Sequence, residues 1–161
     1  MGVKMMRMSK IVRISADLLY PFIVIFGWYV IMHGHLTPGG GFQGGAVVAT
    51  GTALVIVAYS YQDIKTMINK TVLWFQESGG LMLFIGAGLG GLVIGFPFFY
   101  NWLANSGSLF GTTVIYGPNP GELNTAGFLP LMNIAVGTEV WGGLTMVLLY
   151  MLSGLEKREE A

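Results

Sequence analysis

The chain has 161 residues, of which 53% are hydrophobic and 10% charged, and its formal net charge is zero. An average soluble domain carries about 25% charged residues, so this chain lacks the polar surface a water-soluble fold needs and reads as an integral membrane protein; its balanced charge offers no footprint for nucleic acid. Cysteine is absent, which excludes disulfides, thiolate metal sites and the usual iron–sulfur ligation in this chain.

Residues 1–13 carry Lys4, Arg7, Lys10 and Arg13 and no acid. A first transmembrane helix is expected over about 14–32, since about 20 apolar residues at 1.5 Å rise cross a bilayer core. Asp17 and Pro21 interrupt it, and Trp28 and Tyr29 mark its far interface. The run is long for a secretory signal, and no small-x-small cleavage site follows it.

The stretch from His33 to Gly45 concentrates the unusual residues. His33 and His35 are the two histidines of the protein. Pro38 follows, then Gly39, Gly40, Gly41, Phe42, Gln43, Gly44 and Gly45. Proline lacks an N–H and glycine loses the most backbone entropy on ordering, so a sharp turn is expected here rather than helix.

A second span is expected over about 43–61. Gly41, Gly45, Ala49 and Ala53 recur every four positions and form a small-residue stripe for close helix packing. Residues 62–78 are more polar, with Asp63, Lys65, Lys70 and Glu77. Ile64, Ile68, Val72 and Phe75 follow helical spacing, which suits a short interfacial amphipathic helix. The third span is expected over about 80–102, with glycine rows at Gly86–Gly90 and Ala87–Gly91–Gly95 and an aromatic end from Phe96 to Trp102 around Pro97. A polar loop over 105–124 leads to a fourth span over about 128–152, with Glu139 near its centre. The charged segment from Glu156 to Glu160 reads as a solvated tail. The fold class is therefore all-α: one membrane domain over 1–161, with four transmembrane helices and a Gly-rich turn between the first two.

Charge orients this layout. With four spans, the N-terminus, the 62–78 segment and the C-terminus share one side, and all eight Lys and Arg lie there. The positive-inside rule makes that side cytoplasmic, in a multi-pass protein of the cell membrane. The histidine–glycine turn and the long loop then meet on the outer side.

Few residues carry chemistry. The glycine turn lacks the Lys-Ser/Thr that completes a phosphate-binding P-loop. It reads as a tight turn that lets the backbone pass a neighbouring helix, or as a guide for cations or protons. His33 and His35 stand two apart, a spacing that points them in different directions on a helix, so no metal site is expected. Either suits a helix cap or a bond to a neighbouring carbonyl. Glu139 is the sharper case, because an acid near mid-membrane costs roughly 2.5–3.5 kcal/mol on insertion scales. It suits an ion pathway or a helix-to-helix hydrogen bond, with Ala135 and Gly143 leaving room on its face. Asp17 stands one helical turn after Arg13, which suits a local ion pair. No self-contained active site and no cofactor site is visible in this chain.

The segment Gly34-His35-Leu36-Thr37-Pro38-Gly39-Gly40-Gly41-Phe42-Gln43-Gly44-Gly45 resembles the signature of the MnhB-type subunit of Mrp/Mnh-type multi-subunit sodium/proton antiporters. Leu131-Met132-Asn133-Ile134-Ala135-Val136-Gly137 is similar to that family's second recognisable stretch. One departure is Leu36, where the bacterial members tend to have Asn. Related subunits occur in archaeal membrane-bound hydrogenases and sulfur reductases. The resemblance implies an accessory membrane subunit, with the other membrane subunits of the same complex and the lipid bilayer as its partners. A purely structural packing subunit and a stand-alone small transporter or channel are the alternatives.

Overall fold

The computed structural model describes residues 8–114 and 121–160. It is all-helical, with α1 (Lys10–Met32), α2 (Gly41–Tyr59), α3 (Tyr61–Met67), α4 (Lys70–Val93) and α5 (Leu129–Glu160). Four of these are long and apolar enough to cross a membrane: Lys10–Met32, Gly41–Tyr59, Lys70–Val93 and Leu129–Gly154. Lys4 and Arg7 lie outside the described residues.

α2 lies between α1 and α5, and α4 packs on α5. α2 is therefore the most enclosed helix, with Gly41, Gly44, Gly45, Val48, Ala49, Gly51, Thr52, Ile56 and Ala58 buried. α1 keeps only Ala16, Gly27 and Ile31 buried and turns Ile11, Ile14, Leu18, Phe22 and Ile25 outward. In lipid that exposure carries no penalty, since helix association there depends on close packing and hydrogen bonds rather than on removing apolar surface from water.

The described basic residues collect at one end. Met8 N–H donates to the Ala58 carbonyl at 3.2 Å, joining the start of α1 to the end of α2. Lys65 lies over the Tyr61 ring in α3, and Lys70, opening α4, lies 4.8 Å from the centroid of Tyr150 in α5. Ile56, Tyr61, Ile64, Leu73, Met146 and Leu149 form an apolar cluster beneath α3 at this end.

Three expected boundaries move. Helix begins at Gly41, so Gly41–Gly45 is the first part of α2 and the turn is confined to 33–40. Glycine's entropic cost is offset there by approach distances that a side chain would forbid, described below. The 62–78 segment is not one amphipathic helix. α3 ends at Met67, and Asn69 opens α4 by accepting from Thr71 N–H at 2.9 Å, so Glu77 belongs to the third span.

The third span also ends early, at Val93. Gly95, at φ +89°, turns the chain, and Pro97 cannot continue a helix. The aromatic segment then folds back over the glycines of α4. Phe99 N–H donates to the Gly88 carbonyl at 3.1 Å, and Trp102 Nε1 donates to the Ala87 carbonyl at 3.2 Å. A Cβ built on Gly88 would lie 2.8 Å from the Phe99 ring, and one on Gly90 2.5 Å from Trp102 Nε1. These glycines seat their own chain's aromatic rings rather than another helix, while a Cβ built on Gly86 would point into open space.

Asn101 then ties the return to α5, accepting from Phe128 N–H at 3.1 Å and donating to the Ala126 carbonyl at 2.9 Å. Asn124 braces the loop by donating to Thr112 Oγ1 at 2.8 Å.

Candidate functional site

The glycine-rich stretch and the start of α5 form one packing site. A Cβ built on Gly45 would lie 2.5 Å from the Gly137 carbonyl oxygen and 3.0 Å from Val140 Cβ. One on Gly41 would run into the Asn133 carbonyl and Val136. On the opposite side of α2, a Cβ on Gly44 would lie 2.6 Å from the Gly27 carbonyl of α1, and one on Gly27 2.9 Å from the Gly44 carbonyl. Ile31 closes the third side, 2.5 Å from a Cβ on Gly137. Three backbones thus approach at distances that only glycine permits.

The turn above this site is shaped by its own residues. Gly39 and Gly40 both sit at φ +141°, outside the region L side chains favour. The Asn133 side chain reaches under the turn, with its Nδ2 2.7 Å from a Cβ built on Gly34 and its Oδ1 3.4 Å from one on Gly40. Pro38 is exposed, as are Phe42 and Gln43 on the outer face of the first turn of α2.

The two histidines do different things. His33 ends α1: its N–H donates to the Tyr29 carbonyl at 3.0 Å, its Nδ1 lies 3.1 Å from that oxygen, and its ring packs 4.0 Å from the Tyr29 ring. His35 turns inward, and both ring nitrogens are buried without a hydrogen bond of ordinary geometry. Burial holds His35 below the ordinary histidine pKa of 6.5; the Glu122 backbone beside it acts in the opposite sense, and the charge of His33 adds to the lowering. Glu122 belongs to the long loop, so His35 sits where the turn and that loop meet.

The sign of the pH dependence follows. A histidine whose folded-state pKa is lowered favours the fold when neutral, so its contribution is complete above about pH 6.5 and is lost as pH falls from there towards the folded value. Protection of the Gly34 and Leu36 amides, measured as exchange relative to the intrinsic rate at each pH, should therefore fall below that pH, and His35→Gln should remove the dependence. Protection in the wild-type chain that does not change between pH 7.5 and 5 would contradict this placement.

Glu139 does not stand alone. Gly80 of α4 lies against it, with a Cβ built there 2.9 Å from Glu139 Cβ and 2.5 Å from the Ala135 carbonyl. One turn further along, Glu77 of α4 lies beside Gly143, its Oε1 3.4 Å from a Cβ built there. Glu77 and Glu139 line one open groove of about 230 Å³ with Phe42, Val140, Gly143, Leu144 and Val147. Phe42 places one edge of the glycine-rich stretch at this groove. Glu77 is the site residue that sequence reasoning missed. No proline interrupts Lys70 to Val93, which is the signal that includes Glu77 in the span, although Ser78, Gly79 and Gly80 beside it read as a helix break.

Asp17 has a different partner from the one its spacing suggests. The expected local ion pair with Arg13 is not formed. Asp17 faces α2, where the Tyr59 hydroxyl donates to its Oδ2 at 2.5 Å, and Arg13 lies 5.8 Å from the centroid of the same Tyr59 ring. Asp17 and Arg13 thus meet the same residue of α2, Asp17 at its hydroxyl and Arg13 over its ring. A second link crosses from α5 to α2, where Trp141 Nε1 donates to Thr52 Oγ1 at 3.1 Å. Among the described residues, no three His, Asp or Glu side chains gather as metal ligands.

Residues 11–146 match the family described as a domain related to the MnhB subunit of the Na+/H+ antiporter. An uncharacterized protein of Methanocaldococcus jannaschii is 32% identical over 144 residues, which cover 85% of this chain and 50% of that protein. The corresponding Na+/H+ antiporter subunit of Bacillus subtilis is 30% identical over 88 residues, 55% of this chain and 61% of its own length. A chain of the membrane-bound sulfane sulfur reductase, an archaeal respiratory membrane complex, superposes with a TM-score of 0.72 and 31% identity over 94% of this chain and 61% of its own length. The chain thus spans half to about three fifths of the length of these relatives.

Proposed function

The chain belongs to the family of the MnhB subunit of Na+/H+ antiporters, and from that premise we propose that it is an accessory membrane subunit of an Mrp-type cation/proton module, contributing scaffold and one wall of an ion route. The observation that carries the reading is the interlock of Gly27, Gly41, Gly44, Gly45 and Gly137, which joins both family motifs into one rigid three-helix unit. Such a unit suits a part that holds larger neighbours in register. No Lys or Arg lies inside α2, in α4 beyond Lys70 or in the apolar part of α5, so the conducting cationic groups of such a module belong to other chains. Glu139 and Glu77 are the residues placed to touch an ion route. The similarity to a sulfane sulfur reductase chain over 94% of this chain favours a module built into a membrane-bound respiratory complex.

The experiment is co-purification and reconstitution. Pulled from native membranes, the chain should bring other membrane subunits with it, and alone in liposomes it should move neither Na+ nor H+. Transport by the purified chain alone would replace this reading with a stand-alone transporter.

Orientation is part of the proposal. Lys10, Arg13, Lys65 and Lys70 gather at one end, which the positive-inside rule makes cytoplasmic. With single cysteines, Ser106→Cys should react with an impermeant reagent outside intact cells, and Ser9→Cys and Thr66→Cys only after permeabilisation. Labelling of Thr66→Cys from outside would reverse the topology.

A further inference from the structure

The groove between α4 and α5 presents two carboxyls at membrane depth. Glu139 lies ten residues into α5, about 15 Å from its outer start at 1.5 Å per residue, within the apolar stretch Leu129–Gly154. Glu77 lies one turn further in, beside Gly143. The rest of the groove is Phe42, Val140, Leu144 and Val147. Phe42 is 61% exposed and Val147 54% exposed, so the groove opens on the outside of the bundle.

Left to lipid, this face is unfavourable. Carboxyls in the hydrocarbon region require a partner, a proton or water, and two ionised carboxyls sharing one groove repel each other. Among the described residues no donor reaches either one, and the groove-lining parts of α2, α4 and α5 contain no Lys or Arg. A second copy of this chain would bring no base to this depth for the same reason. Gly143 has no side chain to cover the Glu77 carboxyl, whose Oε1 lies 3.4 Å from where a Cβ would stand, and both residues line the groove.

We propose that this groove seats a transmembrane helix of another subunit, and that this helix carries a lysine or arginine at the level of Glu77 and Glu139. The apolar walls take the helix's side chains, and the two carboxyls take its charge, so docking is specific in register as well as in partner. The proposal rests on the reading of the chain as one subunit among several.

The test uses the intact complex in native membranes, with the photo-crosslinking amino acid p-benzoylphenylalanine in place of Leu144, and in place of Phe22 on the outward face of α1 as a control. The expected result is a crosslink from position 144 to one transmembrane peptide of another subunit, with a Lys or Arg inside its span. The double substitution Glu77→Gln/Glu139→Gln should lower the crosslink yield by about tenfold or more. Replacing the partner's base by Met in that background should restore it, because the unpaired charge is then gone. An intact complex in which position 144 crosslinks only lipid, a second copy of this chain, or a helix without a base overturns the proposal and leaves the subunit reading standing. Failure of any other membrane subunit to co-purify overturns both. Mapping in the wild-type carboxyl background needs only the single replacements at 144 and 22, and no arm depends on transport.

Discussion

Gly45→Leu is expected to abolish recovery of the assembled complex, while Val47→Leu leaves it at the wild-type level. At Gly45 even a Cβ would stand 2.5 Å from the Gly137 carbonyl oxygen and 3.0 Å from Val140 Cβ. The obstacle is backbone and a β-branched side chain on a packed helix, so neither yields by changing rotamer. Overpacking a core costs about 1–3 kcal/mol where side chains can shift and more where backbones must separate. α2 is held on both sides, by Gly27 and Ile31 of α1 and by Asn133 and Gly137 of α5. Displacing it therefore disturbs all three helices. Val47 is only half-buried and lies off the contact rows, so one added methylene has somewhere to go. The two variants are compared on a native gel, and equal recovery of both would remove the glycine interlock as the basis of the scaffold.

Glu139→Gln is expected to leave the complex assembled and to slow cation-coupled proton movement about tenfold, equivalent to about 1.4 kcal/mol in the limiting barrier. Gln retains size and hydrogen-bonding capacity but does not titrate, and Glu77 remains in the groove to hold an incoming base. Glu139→Leu removes the polar group altogether and should lower assembly as well. The measurement is transport by the complex in proteoliposomes, normalised to complex content. A Gln variant that transports at the full rate would take Glu139 off the ion route and leave the chain a scaffold alone.

Composition and charge were sufficient for much of this protein. A chain with 10% charged residues must place its helices in lipid, and the clustering of Lys10, Arg13, Lys65 and Lys70 at one end follows from where the spans begin and end. The twelve residues from Gly34 to Gly45 were specific enough to indicate the family. What sequence could not supply was direction. Membrane helices are apolar all round, so hydrophobic periodicity says little about which face meets which neighbour. Gly86–Gly90 and Ala87–Gly91–Gly95 form four-residue rows, yet Trp102 of the same chain occupies Gly90, and Pro97 and Tyr100 occupy Gly91. Asp17 had a base one turn away, yet Tyr59 of α2 donates to it and takes Arg13 over its ring. Glu77 looked like part of a polar connection until the helix from Lys70 carried it beside Gly143 and into the groove of Glu139. Local chemistry decides which residues are costly in a membrane; only the packing of α2, α4 and α5 decides which of them are brought together, because that depends on approach distances between backbones far apart in the chain.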